Sequence, residues 1–123
     1  MPFCVGVRDS VMIAHSFRGE AFGCAQNLHG ATYTVEAEFF ADALQPDTNW
    51  VIDIGAASKA LATALEPYQC RNLDDLEEFR GQNTTTEFMA RHIHSRLRTL
   101  LSFQGRLRVT LHESFKAWAS FEA

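Results

Sequence analysis

The stretch His15-Ser-Phe-Arg-Gly-Glu-Ala-Phe-Gly-Cys24-Ala-Gln-Asn-Leu-His29-Gly-Ala31 separates two apolar segments of this 123-residue chain. The run Val11-Met-Ile-Ala14 leads into the first histidine, and an alternating segment follows the second. If the two segments pair as antiparallel strands, both imidazoles come to the same end of the hairpin, with Cys24 nearby. A metal or nucleophile site can be built in this way from residues distant in sequence. In the alternative interpretation, the two histidines are ordinary loop residues and Cys24 is a small buried thiol.

Alternating residues on either side of this loop predict two long strands, over 3–16 and 31–41. Two further strands are predicted near the end of the chain, over 106–112 and 115–122, after a break at Gly105. His112-Glu113-Ser114 joins these two strands, and it places one carboxylate at a strand junction.

Two helices are predicted between the strand pairs. The first covers 57–65, with Asp53 as its N-cap and Pro67 as its stop signal. The second begins at the capping box Thr84-Thr-Thr-Glu87 and carries an apolar stripe at helical spacing. That stripe consists of Met89, Ile93, Leu97 and either Leu100 or Leu101. His92 and His94 point to different faces of this helix, and both are predicted to be surface residues.

The predicted order is therefore β-β-α-α-β-β in one domain, residues 1–123. It indicates an α+β fold in which two helices cover one face of an antiparallel sheet. Such a sheet has open edges that need pairing or covering, so we expect the chain to form a homo-oligomer. The acidic residues between 74 and 78 are interpreted as a solvated surface.

Composition excludes several classes of partner. The net charge of −4 provides no basic surface, which argues against nucleic acid and anionic membranes. No apolar run approaches the ~20 residues that cross a bilayer, and no signal peptide is recognised at the start. Three cysteines, at 4, 24 and 70, form no disulfide framework, so we expect a cytoplasmic protein.

Six motifs in order resemble the 6-pyruvoyl-tetrahydropterin synthase / 6-carboxytetrahydropterin synthase family, whose fold is the tunnelling fold. The first is apolar-Ala-His at 12–15, and the second is a Cys-containing loop followed by His-Gly-His, here His29-Gly30-Ala31. The third is apolar-Asp-apolar at 51–54, and the fourth is Leu-Asp-His-x-Asn-Leu-Asp, here 68–74. A Thr-x-Glu helix start at 84–88 and Glu113-Ser114 complete the set.

The resemblance implies a zinc site held by three histidines with an open position. His15 and His29 occupy two of these positions, but the third is Ala31, so zinc binding is expected to be weak or absent. Cys24 matches the cysteine that acts as the base, and it could instead complete a His-His-Cys ligand set.

The family's Asp–His pair has become Gln69-Cys70, which leaves Cys70 as a possible substitute acid or base. Glu113 matches the carboxylate that accepts two parallel hydrogen bonds from a pterin. Thr85 and Thr86 could line the edge of the ring.

Three functions follow from this pattern. The first is a zinc-dependent carbon–oxygen lyase that acts on a dihydropterin side chain. The second is a non-catalytic protein that holds a pterin or purine-like ring in a pocket between subunits, and the third is a scaffold without a small ligand. The resemblance also implies an assembly that closes into a barrel, as a trimer or a dimer of trimers. The sequence leaves open whether the chain is an enzyme.

Overall fold

A five-stranded sheet carries two α-helices on one face in the computed structural model, which describes residues 1–123. The spatial order of the strands is β3-β1-β2-β4-β5. The elements are β1 (Phe3–His15), β2 (His29–Ala41), α1 (Ile54–Leu65), β3 (Arg71–Asn72), α2 (Thr86–Leu100), β4 (Arg106–His112) and β5 (Trp118–Glu122). The predicted α+β class is confirmed, with one short strand, β3, added between the two helices. Neither α-helix has both the length and the hydropathy that crossing a membrane requires.

The hairpin of β1 and β2 forms the centre of the sheet. Its antiparallel register runs from Phe3 opposite Ala41 to His15 opposite His29. Because side chains alternate between the faces of a strand, the odd-numbered residues of both strands point towards the helices. Buried residues on this face include Val11, Tyr33 and Phe39. The even-numbered residues form an opposite face rich in polar side chains.

Helix α1 confirms the predicted cap and begins earlier than expected. The side chain of Asp53 accepts a hydrogen bond from the backbone N–H of Gly55 at 2.9 Å. The helix therefore begins at Ile54 rather than residue 57, and it ends at Leu65 before a 3-10 turn that contains Pro67.

Helix α2 has a different cap from the predicted one. Thr85, not Thr84, accepts the hydrogen bond from the backbone N–H of Phe88, at 3.2 Å. Thr84 is buried, and its hydroxyl contacts His15 instead, so the capping box at Thr84 was wrong by one residue. The apolar stripe is confirmed, since Met89, Ile93 and Leu97 are all buried.

The prediction that both histidines of α2 lie at the surface was also wrong. His94 is buried, and its Nε2 donates to the carbonyl oxygen of Leu107 at 3.1 Å. His92 is half-buried and lies 2.8 Å from the hydroxyl of Tyr68. Helix α2 packs against the sheet on one side and against the segment 66–79 on another, so more than one stripe of the helix is covered.

Two details of the sheet differ from the prediction. The two-residue strand β3 pairs parallel to β1, so the sheet is not entirely antiparallel. Strand β5 begins at Trp118 rather than residue 115, because the backbone N–H groups of Glu113 and Ser114 both donate to Ala117 in a turn.

Gln69 occupies part of the outer edge of β1. Its side-chain amide donates to the carbonyl of Ser10 at 2.7 Å and accepts from the N–H of Met12 at 3.4 Å. The backbone N–H of Cys70 donates to the carbonyl of Met12 at 2.7 Å. The side chain of Gln69 thus takes the place of a neighbouring strand, and an aspartate could not supply the donor that this position uses.

Candidate functional site

A cavity of about 610 Å³ lies where β1 ends and β2 begins. Three parts of the chain enclose it: the hairpin end, the 3-10 segment Glu20–Gln26 and the first turn of α2. The turn after β4 closes the remaining side with Glu113 and Ser114. Strand patterns predicted this convergence for the hairpin end, and the family resemblance added Glu113, Thr85 and Thr86, which are distant in the chain.

The two histidines meet in this cavity as the hairpin predicted. His15 and His29 are directly opposed in the register, and the centroids of their rings are 4.6 Å apart. Nδ1 of His29 donates to the carbonyl oxygen of Asn27 at 2.8 Å, so Nε2 is the ring nitrogen that faces no protein partner. Nδ1 of His15 lies 3.0 Å from the hydroxyl of Thr84. Backbone and hydroxyl contacts therefore orient both rings.

The surroundings of His15 favour its neutral form. Burial lowers its pKa, and the charge on a protonated His29 lowers it further. Asp74, Thr84 and Glu113 act in the opposite direction but do not reverse the shift. A neutral imidazole can accept a proton or bind a metal ion.

An aromatic wall, defined as Phe17 and Phe22, stands beside the imidazoles. The ring centroid of Phe17 is 4.6 Å from that of His15 and 4.8 Å from that of Phe22. The loop that carries both rings turns at Gly19 and Gly23, whose φ values are 121° and 55°. Sequence reasoning missed this wall, although two phenylalanines in a glycine-punctuated loop were a visible signal.

The residues present do not fit a three-ligand zinc site. Ala31 projects from the same face of β2 as His29, two positions further along, and contributes only a methyl group. No group of three or more His, Cys, Asp or Glu side chains in the structure is placed to hold a metal ion. The donor set is therefore two imidazoles, one fewer than a catalytic zinc ion requires.

Glu113 lines the cavity from the turn after β4, and a threonine of α2 orients its carboxylate. The hydroxyl of Thr86 donates to Oε2 of Glu113 at 3.0 Å, and Thr85 also lines the cavity. Glu113 forms no ion pair with the nearby Arg106 or Arg108. Those arginines pair with Glu122 and Glu38 instead.

Tyr33 is a cavity residue to which the sequence analysis assigned no role in the site. Its side chain is 1% exposed, and burial raises its pKa to about 12. A hydrogen bond with Thr86 opposes that shift. Tyr33 therefore remains a neutral phenol next to the threonine that holds Glu113, and it can donate as well as accept.

The two cysteines with predicted catalytic roles do not line the cavity. Cys24 is exposed in the segment Glu20–Gln26, although its neighbours Phe22 and Ala25 do line it. Cys70 is exposed beside the outer edge of β1, with a φ of 58°. Within one chain, neither thiol is brought next to both imidazoles, so their catalytic roles stay predictions.

The fold is an α+β sheet with two helices on one face. Two imidazoles meet at a hairpin end, and a carboxylate lies at a strand junction. This combination is that of the tunnelling-fold class. The chain belongs to the 6-pyruvoyl tetrahydropterin synthase family, because the sequence profile of that family matches residues 4–123. No protein of curated function matches the sequence significantly.

Solved structures support the fold. The 6-pyruvoyl tetrahydropterin synthase of Caenorhabditis elegans is 23% identical, with a TM-score of 0.87 over 98% of this chain and 95% of that one. The Plasmodium falciparum enzyme is 16% identical, with a TM-score of 0.77 over 98% and 97%. A catalytic-residue mutant of the Plasmodium vivax enzyme is 15% identical, with a TM-score of 0.73 over 98% and 97%. At these identities the likeness establishes the fold.

Proposed function

We propose that this chain binds a pterin, or a purine-like ring with the same hydrogen-bonding edge, with Glu113 as the anchor. The proposal rests on one observation: the carboxylate of Glu113 lines the cavity, oriented by Thr86 and without an arginine partner. An amino group next to a ring N–H presents two parallel donors, which a carboxylate accepts well. Tyr33 and the flanking threonine Thr85 offer further polar contacts.

The remaining walls suit a flat heterocycle. The volume of about 610 Å³ lies within the ~300–1,000 Å³ typical of small-molecule sites. Phe17 and Phe22 supply apolar surface beside the two imidazoles, and planar rings pack favourably against such faces. The cavity thus combines apolar walls with a small number of oriented polar groups.

Replacing Glu113 with glutamine tests this proposal. A glutamine keeps the size of the side chain, but it loses the charge and sets an NH2 group against a ligand donor. Because a hydrogen bond to a charged group contributes about 1.5–3 kcal/mol, we expect binding to weaken by about 10- to 100-fold. Titration with a fluorescent pterin, followed by quenching, measures the affinity.

Glu122→Gln is the matched control, since Glu122 on β5 pairs with Arg106 on β4 and does not line the cavity. Equal affinities for the Glu113→Gln and Glu122→Gln variants would contradict the role of Glu113. If the unaltered protein does not bind the pterin, only the scaffold function remains.

A zinc-dependent lyase is the second candidate: the orientation of His29 favours it, whereas the missing third ligand at Ala31 disfavours it. Fixing Nδ1 on a backbone carbonyl and leaving Nε2 free is the arrangement that metal-binding histidines usually adopt. Metal analysis of protein purified without chelator separates the candidates. About one zinc per chain, lost in His15→Ala, would support the lyase, and an absence of zinc together with pterin binding would support the binding protein.

We also propose that the chain assembles into a homo-oligomer through the two edges of its sheet. On β1, Gln69 and Cys70 occupy the outer edge only at Ser10 and Met12, so the earlier part of the strand is open. On the other side, β5 has no neighbour beyond β4. Unpaired edges at both ends suit head-to-tail pairing into a closed ring, such as a trimer or a dimer of trimers.

Replacing Ser120 with proline is expected to dissociate this oligomer. Leu107 and Ala123 exchange both backbone hydrogen bonds, so the odd-numbered residues of β5 bond to β4 and the N–H of Ser120 faces the open edge. Proline removes this outward donor while the bonds to β4 remain. Light scattering should report a smaller mass for Ser120→Pro than for Ser120→Thr, which keeps the backbone N–H donor. Equal masses for the two variants would mean that β5 is not an interface.

The cytoplasmic location remains a prediction, based on three cysteines without a disulfide framework.

A further inference from the structure

The open part of the β1 edge presents a short, defined set of backbone groups. The carbonyl of Ser10 and both backbone groups of Met12 point away from β2, since Gln69 and Cys70 bond to them. The register of β1 with β2 is uninterrupted, so every even-numbered residue of β1 points outwards in the same way. The outward residues that remain without a partner before Ser10 are Cys4, Gly6 and Arg8.

The β5 edge presents a set of the same size. Leu107 and Ala123 exchange both backbone hydrogen bonds, which directs the odd-numbered residues of β5 towards β4. The outward residues of β5 are therefore Trp118, Ser120 and Glu122. Each of the two edges thus offers three residues, and each of these residues offers one N–H donor and one carbonyl acceptor.

The strand directions make the two edges fit a second copy of the chain. Strands β1, β2, β4 and β5 are antiparallel to their neighbours in turn, so β1 and β5 run in opposite directions. A head-to-tail ring keeps the strands of every copy in the same sense along its axis, so β5 of one copy meets β1 of the next in antiparallel orientation. Pairing even residues with even residues also keeps Val5, Val7 and Phe121 on the helix-covered face.

We infer that β5 of one copy docks on β1 of the next in a single register, in which all outward backbone groups are paired. The facing pairs are Trp118 with Arg8, Ser120 with Gly6 and Glu122 with Cys4. A shift of two residues in one direction would set Glu122 against Pro2, which has no N–H donor. A shift in the other direction would set Trp118 against Ser10, whose carbonyl already accepts from Gln69. This inference rests on the proposed homo-oligomer and adds which residues meet in it.

The side chains on both faces of the sheet fit this register. On the face without helices, Trp118 is 62% exposed and comes opposite Arg8, whose exposed guanidinium can lie over the indole ring. On the helix-covered face, Phe121 comes opposite Val5, which lines an apolar groove of about 470 Å³. Eight of the ten residues that line this groove are hydrophobic, among them the exposed Trp50 and Ile54. Docking of β5 therefore covers apolar surface that a single chain leaves in water.

A disulfide between copies tests the register, because Cys4 is already present on β1. In Glu122→Cys the two thiols would belong to a hydrogen-bonded antiparallel pair, whose Cα atoms lie ~5.5 Å apart, a distance that a disulfide bridges. Oxidation with diamide is carried out at about pH 9, since burial and the charge of Glu38 raise the pKa of the Cys4 thiol. A denaturing gel without reductant should show most chains cross-linked between copies, and adding Cys4→Ser should abolish the cross-link.

Ser120→Cys is the matched control. It places a thiol on the same edge of β5, but opposite Gly6, so it should cross-link far less than Glu122→Cys. Cross-linking of Ser120→Cys in preference to Glu122→Cys would mean a register shifted by two residues and would overturn the inference. Absence of cross-linking in both variants would overturn it as well.

Light scattering on the same samples separates this inference from the proposed homo-oligomer. An oligomeric Glu122→Cys variant that does not cross-link overturns the register and leaves the homo-oligomer standing. An unaltered protein with the mass of a single chain overturns both. The proposed binding of a pterin is measured separately and does not depend on either result.

Discussion

Replacing Ala31 with histidine is expected to create a zinc site where the unaltered chain has two imidazoles. Ala31 lies two positions from His29 on the same face of β2, and opposite Ile13, two positions from His15. A third imidazole would complete a three-histidine set with an open position. Structural zinc affinities of about 10–16 kcal/mol over four ligands correspond to about 3 kcal/mol per ligand, so the affinity should rise by about 100-fold. Competition with a chromophoric chelator measures it.

The double variant Ala31→His with His15→Ala is the matched control for this gain. It has the new imidazole but again only two histidines, so its zinc affinity should return to that of the unaltered protein. Similar affinities for the unaltered protein and the Ala31→His variant would show that the hairpin end does not have the geometry of a metal site.

Acidification from pH 7.5 to 5.5 is expected to lower the free energy of unfolding steeply. Burial is the main cause that lowers the pKa of His15, His92 and His94 in the folded state. Near and below their unfolded pKa of about 6.5, the unfolded chain binds more protons than the folded one, so stability falls as the pH falls. The loss continues until the pH reaches the lower folded pKa values. Urea unfolding at several pH values measures it.

The size of this loss is limited by the number of histidines. Each one contributes a slope of at most about 1.4 kcal/mol per pH unit, so three contribute at most about 4 kcal/mol per pH unit. His92 should contribute least, because its side chain is 27% exposed and Glu78 raises its pKa in opposition to burial.

His94→Gln isolates one of the three contributions. A glutamine amide can still donate to the carbonyl of Leu107, but it does not titrate. The slope of the unfolding free energy against pH should therefore fall by about one third. A slope that is unchanged in this variant, or a stability that rises on acidification, would show that buried neutral histidines do not control the acid response.

Local patterns predicted the central hairpin and the meeting of its two histidines. Period-two alternation assigns each side chain to a face, and a shift of one residue would turn every apolar side chain of the strand outwards. The register that opposes His15 and His29 therefore follows from the apolar pattern. The same logic predicted the stripe of α2 from helical spacing, and the N-cap Asp53 from local hydrogen bonding.

Contacts between distant segments decided what local patterns left ambiguous. Three consecutive threonines are equivalent candidates for the cap of α2, and the contact of Thr84 with His15 leaves Thr85 for that role. The two-residue strand β3 is too short to show a period, and it exists because β1 offers it an edge. His94 is buried because α2 packs against β4 and β5.

The sequence alone determined the order of the two α-helices and the four longer strands, the face that each residue of the central hairpin occupies, and the absence of a third histidine at Ala31. Only the tertiary structure decided that Thr86 orients Glu113, that Phe17 and Phe22 wall the cavity, and that Cys24 and Cys70 lie outside it. The physical reason is the range of the interactions. Periodicity and capping act within a few residues of the chain, whereas a cavity is enclosed by segments up to about a hundred residues apart, whose positions depend on how the whole core packs.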